Sequence, residues 1–138
     1  MRIAPIGRAW QLLANVELES LGVSESEGRA LVYLESGEPG MRQGDLARIT
    51  GVTEASIART VKHLEAAGLV ERVADEHDGR ARQLSLTAEG LELAQRLDAR
   101  LARLRAELLE GLPSEALKGM IAVFDQFSAR ISERREQV

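Results

Sequence analysis

The chain has 138 residues, 44% of them hydrophobic and 29% charged, with a formal net charge of −4. That length suits one domain, and the apolar share is too high for a disordered chain. The absence of cysteine excludes disulfides, thiolate metal sites and thiol catalysis or redox sensing, and the acidic balance leaves room only for a local nucleic-acid contact.

Residues 5–20 set Ile6, Trp10, Leu13 and Val16 three or four apart, with Leu12 widening the face, and predict an amphipathic first helix ending near Gly22. Ser24 with Glu27 forms a capping-box pattern that opens a second helix to about Ser36, stopped by Gly37-Glu-Pro-Gly40. A short third helix covers 43–50, and Gly51 breaks it. Thr53 caps a fourth through about Ala67, with Ile57, Val61 and Leu64 on one face. Residues 69–74 and 82–87 alternate as strands around a polar tip that ends in Asp78-Gly79, a hairpin turn signal. Thr87 caps a long helix in which Leu93, Leu97, Leu101, Leu104 and Leu108 recur near heptad spacing. Gly111-Leu-Pro113 interrupts it. Ser114 is expected to cap a last helix carrying Leu117, Ile121, Phe124, Phe127 or Ser128, and Ile131, and the charged tail from Glu133 is expected to fray.

Within this order residues 46–57 are the most informative. Ala47 is small where two helices must cross, Gly51 follows four residues later at the turn, and Ile57 plugs the space between the helices. That is helix-turn-helix spacing, with two helices at about 90–120°. Two strands follow directly, which makes the unit a winged helix, and a hairpin built only for the core has no need of Arg80 and Arg82 at its tip. The expected fold class is mainly α (α+β). A winged helix-turn-helix at 37–90 lies between helical regions 1–36 and 91–138, which form a dimerisation arm.

The fourth helix turns Thr53, Ala55, Ser56, Arg59, Thr60, Lys62 and His63 away from its apolar face. Short hydroxyl side chains at a helix N-terminus suit phosphate and base edges, and an arginine such as Arg59 reaches guanine N7 and O6 in the major groove. Arg80 suits a narrow minor groove, where negative potential is concentrated. Residues 41–90 nevertheless hold seven basic and eight acidic residues, so the acids are expected to face away from DNA or to brace arginines. Glu54, near the start of the recognition helix, could accept from cytosine N4. Arg72 reads equally as a phosphate contact or a strand-surface charge.

Other residues read as structural first. Trp10 and Tyr33 suit packing, and Arg96, Arg100, Arg103 and Arg105 near Glu92 and Glu107 suit an ion-paired helix face. His63 and His77 are too few and too isolated for a metal site. No nucleophile–base pair or phosphate-cradling glycine loop is visible, so neither an enzyme nor a cofactor is expected. No apolar run approaches the roughly 18 residues of a membrane span, and the N-terminus lacks a signal-peptide core, so a cytoplasmic protein is expected. The alternative function is a winged-helix protein-interaction module. It would want apolar residues on the outer face of the fourth helix, where Ser, Thr, Arg and Lys stand.

Residues 78–90, Asp-Gly-Arg-Ala-Arg-Gln-Leu-Ser-Leu-Thr-Ala-Glu-Gly, resemble the wing signature of the MarR family, Asp-x-Arg and then Leu-x-Leu-Thr-x-x-Gly. Residues 59–72 resemble that family's recognition helix and first wing strand, and Arg8-Ala-Trp10 looks like its SlyA branch. The resemblance implies a homodimeric regulator, usually a repressor, on double-stranded DNA carrying a palindromic operator. It implies Arg80 as the wing-tip minor-groove residue, Asp78 holding Arg80 by a salt bridge, and Arg59 as a recognition-helix contact. It also implies a small, often aromatic, acid effector bound between arm and DNA-binding lobe. Gly28 departs from the family, many members of which carry a bulky aromatic there. Either another helix approaches closely or space opens for a ligand. The candidate pocket comprises Trp10, Leu13, Ala14, Gly28 and Tyr33, with Arg8 or Arg29 available for an acid.

The dimer has support apart from the resemblance. The helix at 87–110 spans roughly 36 Å at 1.5 Å per residue, and its leucine seam is too long for a small wing domain to cover. Pairing the end helices with a second copy would set two recognition helices about 34 Å apart.

Overall fold

The computed structural model describes residues 2–137. In chain order the elements are α1 (Ile3–Ser20), α2 (Glu25–Ser36), α3 (Gln43–Thr50), α4 (Glu54–Ala66), β1 (Val70–Ala74), β2 (Arg82–Leu86), α5 (Ala88–Leu109) and α6 (Ser114–Glu136). This is the expected mainly helical winged-helix order. The chain forms two compact units, one up to Leu104 and one from Arg105, with the break inside α5.

In the first unit Leu31, Leu46, Ile57, Val61, Leu64 and Leu97 are the largest fully buried side chains. One core therefore draws on α2, α3, α4 and α5, and Val70 and Leu84 close it from the sheet. β1 and β2 pair antiparallel, with Val70 opposite Leu86 and Arg72 opposite Leu84. The Leu84 N–H also donates to the Met41 carbonyl at 2.8 Å, which ties β2 to the segment entering α3.

Two glycines are required by geometry. Gly51 ends α3 at φ +72°, and its N–H donates to the Ala47 carbonyl at 2.9 Å. The left-handed backbone there makes the tight turn into α4. Gly90 lies in the first turn of α5, where a β-carbon would fall 1.9 Å from the Leu69 carbonyl oxygen, so only glycine admits this approach. Thr87 completes the junction: its hydroxyl donates to the Gly68 carbonyl at 2.6 Å and accepts from the Gly90 N–H at 3.1 Å.

The stripe Ile6, Leu12, Leu13 and Val16 of α1 is exposed, with Ile6 at 66% and Leu12 at 70%. α1 instead buries Ala14 and Leu18, because small and branched residues on the opposite side fit against the core. The leucine seam of α5 is covered only in part: Leu97 is buried, Leu93, Leu101 and Leu104 are half-buried, and Leu108 is exposed. The wing tip is no two-residue turn, since Gly79 lacks the positive φ such a turn demands. The loop is closed instead by Asp75 N–H donating to the Ala81 carbonyl at 3.2 Å and Ala81 N–H donating to the Asp78 carbonyl at 3.0 Å. Finally, α6 is not capped by Ser114, which is its first helical residue after Pro113, and it does not fray at Glu133 but continues to Glu136, with Arg134 and Arg135 in its last turn complementing the helix dipole. In the second unit α6 buries no residue, and Met120, Ile121, Val123, Phe124, Phe127 and Ile131 are all exposed.

Candidate nucleic-acid interface and adjoining cavity

Thr53 caps α4, its hydroxyl oxygen accepting from the Ser56 N–H at 3.1 Å. The helix anchors itself through Ile57, Val61 and Leu64 and presents Thr53, Ala55, Ser56, Arg59, Lys62 and His63 to solvent. Thr60 is a correction to the expected set. It is buried, and its hydroxyl donates to the Ser56 carbonyl at 3.2 Å, so it is not offered to a duplex. Its spacing of three and four from Ile57 and Leu64 puts it on the core edge of the helix. His63 stands 3.8 Å from Glu27 through Nδ1. Glu54 leans toward the first turn of α3, where a β-carbon on Gly44 would lie 3.7 Å from its carboxylate.

Three of the lobe's arginines are taken up by acids. Asp45 pairs with Arg48 at 2.9 Å, Glu65 with Arg72 at 3.0 Å and Asp75 with Arg42 at 2.6 Å. Arg72 also donates to the Gln43 side chain at 2.8 Å, so it is a brace between β1, α3 and α4. Arg59, Lys62, Arg80 and Arg82 are exposed, and among the described residues no side chain pairs with them. The unpaired cations are thus those on the recognition helix and the wing.

The wing is held by a pair that sequence spacing did not reveal. Asp75, at the end of β1, is buried; it accepts from Arg42 Nη2 at 2.6 Å and from the His77 N–H at 2.8 Å. The Arg42 guanidinium first, then the His77 N–H and the Gln83 side chain, hold the Asp75 carboxyl far below the usual carboxylate range. The Arg42 guanidinium is correspondingly raised by Asp75. Arg42 N–H also donates to Asp45 at 3.0 Å, which lowers that carboxyl. The entry to α3 and the stem of the wing are therefore one charged unit. Asp78 does not hold Arg80 through its guanidinium. Its carboxylate accepts from the Arg80 backbone N–H at 3.1 Å, which shapes the tip and leaves the side chain free.

A cavity of about 270 Å³ opens in the first unit beside Trp10, Gln11, Ala14, Gly28, Arg29 and Tyr33. Leu13 and Arg8 do not line it; both are exposed, on turns of α1 that face elsewhere. Gly28 serves close approach, because a β-carbon there would lie 2.8 Å from Leu18 Cδ2. The same close contact between α1 and α2 forms one wall of the cavity, so the two explanations of this glycine coexist.

Residues 21–81 match the model of the MarR family. The transcriptional regulator PA3341 is 28% identical, with 95% of this chain and 96% of that one covered at a TM-score of 0.88. CouR from Rhodococcus jostii RHA1, solved with p-coumaroyl-CoA, is 25% identical over 91% and 87% of the two chains, at 0.80. MepR of Staphylococcus aureus, solved with DNA, is 22% identical over 93% and 94%, at 0.78. The chain has the winged-helix fold of MarR-family transcriptional regulators.

Proposed function

We propose that this chain is a homodimeric DNA-binding regulator of the MarR type, acting as a repressor on a palindromic operator in the cytoplasm. The observation that carries the reading is where the free cations lie: Arg42, Arg48 and Arg72 are paired with Asp75, Asp45 and Glu65, while among the described residues Arg59, Lys62, Arg80 and Arg82 stay exposed and unpaired. Cations left free on a recognition helix and a wing suit phosphate, major-groove and minor-groove contacts. The outer face of α4 is polar, which disfavours a protein-docking module. MepR, a protein of the same fold, has been solved on DNA.

The apolar residues exposed on α1 and α6 support the dimer, since their burial against a second copy would remove them from water. On this reading residues 1–36 and 91–138 form the arm and 37–90 the reading head. Arg8-Ala-Trp10 and Arg59 align the chain with the SlyA-like branch. The cavity beside Trp10 and Tyr33 would take a small aromatic acid, with Arg29 its one cationic lining residue. CouR supports an aromatic effector, having been solved with p-coumaroyl-CoA.

Selection of duplexes from a random pool, followed by mobility-shift titration at several salt concentrations, tests the reading. A palindromic consensus with affinity falling steeply as salt rises is the expected result. Recovery of no consensus, together with a monomer in sedimentation, would overturn it.

A further inference from the structure

A chain of polar contacts runs from the cavity wall to the turn between α3 and α4. Gln11 Nε2 donates to Asn15 Oδ1 at 3.2 Å, and Asn15 Nδ2 donates to Glu25 Oε2 at 3.2 Å. Glu25 Oε1 stands 3.9 Å from Arg29 Nη1, and Arg29 Nη2 donates to the Thr50 carbonyl at 2.8 Å. Thr50 is the last residue of α3, so its carbonyl lacks an intrahelical donor. The Thr50 hydroxyl is itself engaged with the Leu46 and Ala47 carbonyls at 2.7 and 3.2 Å. Arg29 therefore provides the charge-assisted cap that ends α3 at the turn into α4.

Arg29 also borders two spaces. It lines the cavity beside Trp10 and Tyr33, and it lines a second concavity of about 360 Å³ with Thr50, Val52 and Ile57, under the recognition helix. No other described residue lines both. We propose that Arg29 is a positioning residue that couples occupancy of the first cavity to the recognition helix. An occupant carrying an acceptor oxygen draws the guanidinium off the Thr50 carbonyl. The end of α3 loses its cap, and the population shifts toward arrangements in which α4 no longer fits the groove. The inference rests on the reading of the cavity as an effector site. At about 270 Å³ the space falls below the roughly 300–1,000 Å³ of pockets for drug-sized ligands, so a single ring is the fitting occupant.

Benzoate is the probe. Trp10 is the one tryptophan, so its fluorescence reports entry into the cavity. Benzoate is expected to quench Trp10 in the wild type and to lower wild-type operator affinity about tenfold; Arg29→Met removes the cavity's one lining cation, so it should be quenched only at higher benzoate, and the two proteins are compared at concentrations that saturate quenching in each. Arg29→Met should bind the operator more weakly without benzoate and respond to it less than about twofold. Hydrogen exchange gives a readout without DNA: the Gly51 and Val52 amides, both donating to the Ala47 carbonyl, should exchange faster in the wild type with benzoate. In Arg29→Met they should be fast throughout. If Arg29→Met does not fold, Asn15→Ala breaks the same chain of contacts further away and should weaken the exchange response. The proposal falls if benzoate leaves wild-type Trp10 unquenched, or quenches it with no change at Gly51 and Val52. It falls equally if the folded variant keeps the full response. Exchange behaving as expected with no duplex bound would overturn the operator reading and leave the Arg29 link standing.

Discussion

α1 and α4 both seat a narrow apolar strip in the first unit, yet their outer faces are opposite in kind. α4 turns Thr53, Ser56, Arg59 and Lys62 outward, whereas α1 turns Ile3, Ile6, Leu12, Leu13 and Val16 outward. Water tolerates the first set and penalises the second. Hydroxyls and cations on a helix that is otherwise well anchored suit a polyanion, while branched apolar side chains in a row suit another protein surface. The face a helix shows to solvent therefore separates its partner class, and the face it shows to the core does not.

Breaking the apolar side of this contrast should have the largest effect. Ile6→Glu with Leu13→Glu should yield a folded monomer by sedimentation and circular dichroism. Operator affinity should fall by roughly 10²–10⁴-fold, because two linked heads bind with an avidity one head lacks. Next comes the polar side. Arg80→Ala should lose about 1–3 kcal/mol of operator binding per half-site in a mobility-shift titration, with thermal stability unchanged. Arg59→Ala should cost a similar or smaller amount and, unlike Arg80→Ala, flatten the base preference recovered from a random pool.

The paired charges sharpen the same contrast from inside the lobe. Asp75→Asn should lower the melting temperature and loosen the wing, visible as faster amide exchange in β1 and β2. The Asp75 carboxyl is depressed in the folded chain, so its contribution is present above the ordinary carboxylate value of about 3.9 and is lost as pH falls through the lower folded value. Wild-type stability should therefore drop on acidification more steeply than that of Asp75→Asn. The smallest effect is expected for Arg72→Ala. Exposed ion pairs of this kind contribute about 0–1 kcal/mol, and the residue already has partners in Glu65 and Gln43, so operator affinity should hold within about twofold.

Much of this was legible in order along the chain. Capping at Ser24, Thr53 and Thr87, the breaks at Gly37 and Gly51, and the alternation of 82–87 are local signals, and each element formed within a few residues of its expected bounds. Arg59 and Arg80 could be singled out because helix periodicity and wing position act over a few residues. Thr60 went the other way: periodicity gives a side chain's direction only to within a fraction of a turn, and the neighbouring core claimed it. Asp78 was seen as a brace, but the brace proved to be Asp75, 33 residues from Arg42.

By itself, then, the amino-acid order determined the succession of helices and strands, the turn between α3 and α4 and the presence of cations on α4 and the wing, because caps, breakers and apolar periods act between near neighbours. Only the folded chain decided which of those cations stay free, that the apolar stripe of α1 faces outward, that Gly90 must lie against Leu69, and that Arg29 ends α3. Each of these depends on groups distant in sequence meeting at contact range, where burial and hydrogen-bond geometry choose one partner among several of the same charge.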